Sequence, residues 1–315
     1  MKITVLSGGV GGARFLRGLR AASPESTITA VVNVGDDMWL TGLRICPDLD
    51  SIMYTLAGEN DEERGWGRVG ESERVSSELR AYGVGWPWFT LGDLDIGTHI
   101  TRTHYLRSGM PLSTATDLIT ARWQLGAHLI PATDNEVETH VRTDDAVMHF
   151  QEWWTRHRAA VPAREFIHTG AEASVPAPGV VAAISEADVV IIAPSNPVVS
   201  IAPILAIPGI RKAVESASAP VVGVSPIIAG RVVRGMADAC LTAIGVQTTA
   251  EAVAAHYAVR GAGGILDAWL VDDSDADAVN SLSSTGLRAH AAPLWMRDLS
   301  TSAAVASAAL DLAMA

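Results

Sequence analysis

Ile3-Thr4-Val5-Leu6 runs straight into Ser7-Gly8-Gly9-Val10-Gly11-Gly12-Ala13-Arg14. A short β-branched run, a glycine-rich turn and the start of an amphipathic helix form a strand–loop–helix unit. Glycines let the backbone approach an anion closely, and the helix start offers free N–H groups and a positive dipole end. Arg14 stands where the dinucleotide fingerprint carries its third glycine, and no Gly-Lys-Ser/Thr follows, so the loop is not a Walker A element. A tight strand-to-helix turn that binds nothing is the alternative.

Further short apolar runs follow: Ile28–Asn33, Val189–Ala193, Pro220–Val224, Ile265–Val271 and Leu287–Ala291. They are nearly continuous in apolar character, as strands buried on both faces are, and they alternate with helical patterns. The expected fold is α/β: a Rossmann-like, mostly parallel sheet with helices on both faces, an added β-hairpin and a smaller helical region. Val137–Thr143 and Ala146–Phe150, joined through Asp144-Asp145, predict a hairpin attached to the sheet. Glu59–Arg74 predicts a solvated connection before a helix at Ser76–Tyr82. Met236–Ile244 and Ala250–Tyr257 predict two helices broken at Gly245, the second capped by Thr248 or Thr249. The chain divides into an α/β core over 1–230, a helical region over 231–264 and an α/β segment over 265–315 that returns to the core.

The 315 residues carry 23 basic and 35 acidic side chains, a net charge of −12, which argues against a broad nucleic-acid footprint. Only Lys2 and Lys212 are lysines, so positive charge is nearly all arginine. This fits GC-rich coding, and equally planar recognition of phosphate or carboxylate. Mean hydropathy is +0.23, but Val189–Ile210 is interrupted by Pro194, Pro197, Pro203 and Pro208 and predicts no spanning helix. Without a secretory pattern at Met1–Leu6, and with Cys46 and Cys240 isolated, the expectation is a soluble cytoplasmic protein.

Candidate chemistry gathers at strand ends. Asp36, in Asn33-Val34-Gly35-Asp36-Asp37, could accept from a ribose hydroxyl, although Gly-Asp-Asp is also an ordinary turn. Asp48 and Asp50, behind Pro47, could point hard oxygens at Mg2+; capping of a helix over Ile52–Ala57 accounts for one of them. In a helix from Asp95, the side chains of Asp95, His99 and Arg102 share a face at i, i+4 and i+7, a surface ladder being the alternative. Ser195, Asn196 and Ser225, in proline-fixed turns after strong strands, could hydrogen-bond a base or phosphate, or cap helices.

Taken in order, these segments resemble the CofD/FbiA family, guanylated-donor:Fo phosphotransferases of coenzyme F-420 biosynthesis. The match runs through Ser7–Ala13, Val32–Asp37 with Trp39, Ile45–Asp50, Tyr54–Gly58, Leu91–Asp95 with Thr98, His99, Arg102 and Thr103, Pro194–Pro197 and Ser225–Ile228. The resemblance implies that the ribityl hydroxyl of the deazaflavin Fo attacks the phosphorus bearing a three-carbon acid in a guanosine diphospho donor, releasing GMP. It implies Mg2+ and the acceptor hydroxyl at Asp48 and Asp50, one of them serving as base, with Asp93 and Arg102 positioning Fo and meeting phosphate charge. Gly8, Gly9, Gly11, Gly12, Ser195, Asn196 and Ser225 would line the guanosine-phosphate side, with Asp36, Asp37, Thr98 and His99 as further substrate contacts. The family also implies a homodimer. High-GC coding leans toward enolpyruvate over lactate as the acid. Two competing readings are a nucleotide-sugar-binding regulator of the same superfamily and a nicotinamide oxidoreductase, against which the absent third glycine counts.

Overall fold

Alternation of side chains along each strand explains the core. In Val189-Val190-Ile191-Ile192, Val189 and Ile191 join one apolar cluster, and Val190 and Ile192 join a second on the opposite face. Both faces are therefore dry, and both must be covered by helices. The computed structural model describes all residues from Met1 to Ala315. Its main sheet has seven strands: β1 (Lys2–Ser7), β2 (Thr27–Val32), β3 (His128–Pro131), β4 (Val189–Ile192), β5 (Val221–Val224), β6 (Ala268–Val271) and β7 (Arg288–Ala291). The spatial order is β3-β2-β1-β4-β5-β6-β7, and every pairing is parallel. Strand order reverses between β1 and β4. In open α/β sheets the crevice beyond the carboxyl ends at such a reversal is where ligands bind.

Here that crevice is flanked by the glycine loop after β1 and by Pro194-Ser195-Asn196 after β4. One face of the sheet is covered by helices α1 (Gly9–Ala22) and α2 (Pro47–Ala57) together with a terminal helix, Leu299–Met314. α1 and the terminal helix cross closely because Gly18 lacks a side chain. A Cβ there would lie 2.3 Å from the backbone carbonyl carbon and oxygen of Ser302. Gly18→Ala is therefore expected to lower stability by about 1–3 kcal/mol, the usual cost of overpacking. Urea unfolding measures it, and an unchanged midpoint would show that the two helices separate freely.

Differences from the expected elements are local. The sequence pattern does not predict β3: four residues ending in Pro131 carry little signal, and Pro131 is tolerated because the strand lies at the sheet edge. The expected hairpin forms (Glu138–Arg142 with Val147–His149), but it is not part of the main sheet. It pairs with a further strand, Glu165–Thr169, in a separate three-stranded antiparallel sheet. Val141, Phe150 and Trp153 anchor this unit in the core. The region after Gly230 contains the helices Ala237–Ala243 and Ala250–Tyr257, and the hydroxyl of Thr249 caps the second by accepting from the Ala252 amide. No helix is long and apolar enough to cross a membrane.

Candidate active site

A cleft of about 980 Å³ opens where the strand order reverses. One wall is the start of α1. Gly8 precedes the helix without a side-chain cap and the first turn holds no acid of its own; the Gly8 and Gly9 amides are taken by Ser195 and Asp48, and the following amides stay available to an anion. Gly9 takes a left-handed φ of 64°. A Cβ on Gly8 would meet Asp48 Oδ2 at 2.5 Å, so glycine here lets that carboxylate reach the loop. Ser195 fixes the opposite wall, its Oγ donating to the Gly8 carbonyl at 2.7 Å and accepting from the Gly8 amide at 3.2 Å.

Two acidic groups face this cleft. In the first, Asn33 holds Asp36 and Asp48 together, its Nδ2 donating to Asp36 Oδ1 (3.2 Å) and to Asp48 Oδ2 (2.9 Å). Gln151 Nε2 donates to the other oxygen of Asp36 at 3.2 Å. All these donors are neutral. Burial first, and then the neighbouring Asp48 charge, push the pKa of Asp36 well up, against the pull of the Asn33 bond. Burial likewise raises Asp48, which the Asn33 and Gly9 hydrogen bonds only partly offset.

The second group lies two residues further along α2. Residues i and i+2 of a helix do not share a face, so Asp50 meets different partners. Arg102 grips both its oxygens, Nη1 donating to Oδ2 at 3.0 Å and Nη2 to Oδ1. Beyond it, Arg102 Nη1 lies 3.2 Å from His99 Nδ1, and His99 Nε2 lies 3.3 Å from Asp95 Oδ1. Tyr54 donates its hydroxyl to Asp95 at 2.8 Å. Burial works to raise Asp95, yet His99 and Tyr54 outweigh it and the pKa falls. Asp50, Asp95 and His99 each bring one donor atom within 4.8 Å of the others, enough to hold a metal ion. Trp66, Trp88, Phe89, Phe150, Trp154 and Trp295 also line the cleft.

Gly8, Gly9, Gly11, Asp36, Asp48, Asp50, His99, Ser195, Asn196 and Ser225 all line this cleft. Asn196 also caps the wide helical turn Pro197–Ile201, accepting from the Val198 amide at 2.9 Å. Ser225 also closes its own turn, its Oγ accepting from the Ile227 amide at 3.1 Å. Five other expected contacts lie outside the lining. Asp93 begins helix α3 (Asp93–Arg107), two residues earlier than expected, and is exposed. It accepts from the Ser72 amide and hydroxyl at 2.8 and 2.9 Å and so ties the preceding loop to the helix. Arg102 is 2% exposed and spent on Asp50. Asp37 is buried against Arg44 at 3.4 Å. Gly12 packs under Ser7 and Ser195, and Thr98 is buried beside Tyr54. The Asp95–His99–Arg102 row does share one helical face, but it is buried against α2 where a surface ladder was the alternative. Sequence reasoning gave no role to Asn33 or Gln151. Asn33 carried a signal in its position directly after β2; Gln151 carried none, because it arrives from the separate three-stranded unit.

A sequence profile described as 2-phospho-L-lactate transferase CofD matches residues 3–297. The chain is 53% identical over 317 residues to a phosphoenolpyruvate transferase of Streptomyces griseus, covering 99% of this chain and 98% of that one. It is 54% identical over 317 residues to the Streptomyces coelicolor protein of the same name, with 99% and 98% covered. With the phosphoenolpyruvate transferase of Mycolicibacterium smegmatis it shares 52% over 328 residues, 99% of each. Among solved structures, a Bacillus halodurans protein described as a member of the UPF0052 family superposes with a TM-score of 0.62 at 18% identity, over 98% of this chain and 99% of that one. That likeness concerns the fold alone. With the profile spanning nearly the whole chain and relatives identical at more than half their positions, the chain belongs to the CofD family.

Proposed function

We propose that this protein is a transferase that moves a phosphoenolpyruvyl or phospholactyl group from a guanosine diphospho donor to the ribityl hydroxyl of the deazaflavin Fo. The hydroxyl oxygen bonds to the phosphorus that carries the three-carbon acid. The bond from that phosphorus to the bridging oxygen breaks, GMP leaves, and the hydroxyl proton is taken up by a carboxylate. The observation that carries this reading is one cleft that brings together an uncapped helix start, two carboxylate groups and a set of aromatic side chains. Such transfer needs positioning and charge neutralisation more than covalent catalysis. The names of the relatives favour the enolpyruvyl donor.

The family implies Mg2+. Asp36 and Asp48 fit it: burial raises the cost of ionising both carboxylates, the charge of Asp48 raises it further for Asp36, neither faces a cation, and this ion takes one or two carboxylates plus water and phosphate. Asp50, paired with Asp48 in the sequence reading, already has its charge met by Arg102. A bound Mg2+ would neutralise charge building on the phosphoryl oxygens. Asp50, oriented by Arg102 and backed by His99, is the group we assign to the acceptor hydroxyl and its proton.

Incubation with Fo, Mg2+ and equal amounts of the enolpyruvyl and lactyl donors tests the proposal by mass. The expected result is GMP with a phosphodiester whose mass, differing by two hydrogens between the alternatives, names the acid. No product, with Fo fluorescence unchanged on mixing, would favour a nucleotide-binding regulator.

A further inference from the structure

Arg14 and Arg234 line the cleft and a side chamber beside it without an ion pair of their own; Glu62, on the chamber wall, attracts Arg14 but is itself paired with Arg17. Their neighbours are paired: Arg17 with Glu62, Arg64 with Asp61 and Glu71, Arg68 with Glu59. Arg14 makes a single long hydrogen bond, to the Met296 carbonyl at 3.4 Å. Arg234 makes no hydrogen bond or ion pair, and its guanidinium occupies the space that a side chain on Gly65 would fill. Burial and the nearby charge of Arg234 both weigh against the charged form of Arg14. The two guanidiniums are near enough to repel each other, and an anion between them would relieve that repulsion.

Both arginines line the main cleft, and both also line a side chamber of about 20 Å³ between α1, Ser51 and Thr55 of α2, and Gly65–Gly67. A space of that size admits about one water-sized group. The chamber itself is too small for the acid, but the two guanidiniums also face the main cleft, where they suit the planar oxygen pair of a carboxylate. Ser51 directly follows Asp50 in α2 and lines both the chamber and the cleft, so the chamber adjoins the acidic groups of the cleft.

We propose that Arg14 and Arg234 form a carboxylate subsite that receives the three-carbon acid of the donor, while the diphosphate lies against the start of α1. The inference rests on the transferase reading above and assigns the part of the substrate that each region recognises. Arg14, at the position where the dinucleotide fingerprint has glycine, turns that helix start toward an acid-bearing ligand.

Calorimetric titration of phosphoenolpyruvate, inorganic phosphate and GDP into wild type, Arg14→Gln, Arg14→Lys and Arg234→Gln tests the subsite. Wild type is expected to bind phosphoenolpyruvate about tenfold more tightly than phosphate. Either glutamine variant is expected to remove most of that margin while GDP affinity stays within about twofold, and Arg14→Lys to keep part of it. An unchanged margin in the glutamine variants, or no margin in wild type, would overturn the proposal. So would GDP weakening in step with phosphoenolpyruvate, which would assign the arginines to the diphosphate. If wild type keeps the margin yet binds no GDP, the subsite stands and the guanosine-donor reading fails.

Discussion

Arg102→Ala is expected to cost about 3–5 kcal/mol of stability, because it strands the Asp50 carboxylate in the interior without its counter-charge. Asp50 is 4% exposed and Arg102 2%, so neither can recover solvation by a small movement. Burial by itself would lower the pKa of Arg102, but attraction to Asp50 outweighs it and raises the value, which makes the guanidinium a permanent cation. Lysine would not restore the pair, since it lacks the planar fork that holds both carboxylate oxygens. Replacing both partners by apolar residues, Asp50→Leu with Arg102→Met, should recover much of the lost stability while leaving turnover absent. Urea unfolding of the single and double variants measures this. A single variant within about 0.5 kcal/mol of wild type would mean that the pair is far more hydrated than its burial indicates.

Asp48→Asn is expected to do the opposite to stability while lowering turnover by about a hundredfold or more, the scale on which charge stabilisation at a reacting phosphoryl group acts. Burial raises the Asp48 pKa in the folded protein above its value in the unfolded chain. Between those two values the folded state binds the extra proton, so the stabilising contribution is complete below the unfolded pKa and is lost as pH rises through the folded one. Asparagine never ionises and escapes that loss. In buffer free of divalent metal, the variant should therefore unfold at a higher temperature than wild type near pH 8 and at the same temperature near pH 4. The difference amounts to about 1.4 kcal/mol for each tenfold change in the ionisation constant. A variant less stable than wild type at pH 8 would show that Asp48 is held ionised by its hydrogen bonds. In that case Asp36, whose pKa is raised by burial and by its neighbour, carries the whole cost. Keeping two uncompensated carboxylates beside a glycine loop costs stability, which points to a site organised for a ligand.

The sequence specified the strand–glycine–helix unit and five further strands of the sheet, and most of the site residues it named line the cleft. These features are local. Continuous apolar runs declare strands buried on both faces, and glycine and proline turns mark strand ends, where this topology puts ligands. The family likeness added an order of motifs that no single segment carries. Spatial pairing was not legible. Asp48 and Asp50 stand two apart in sequence, yet helical rotation sends one to Asn33 and Asp36 and the other to Arg102 and His99. Asp93 has the setting of a catalytic acid but ties down a loop. Gln151 reaches Asp36 from 115 positions away. Backbone periodicity and turn chemistry depend on neighbours in the chain, so the sequence by itself determined the fold class and the strand ends that carry the ligand loops. Charge pairing, desolvation and access to the cleft depend on residues that only folding brings together, so the tertiary structure alone decided which acids are paired, which line the cleft without a counter-charge, and which arginines join them there.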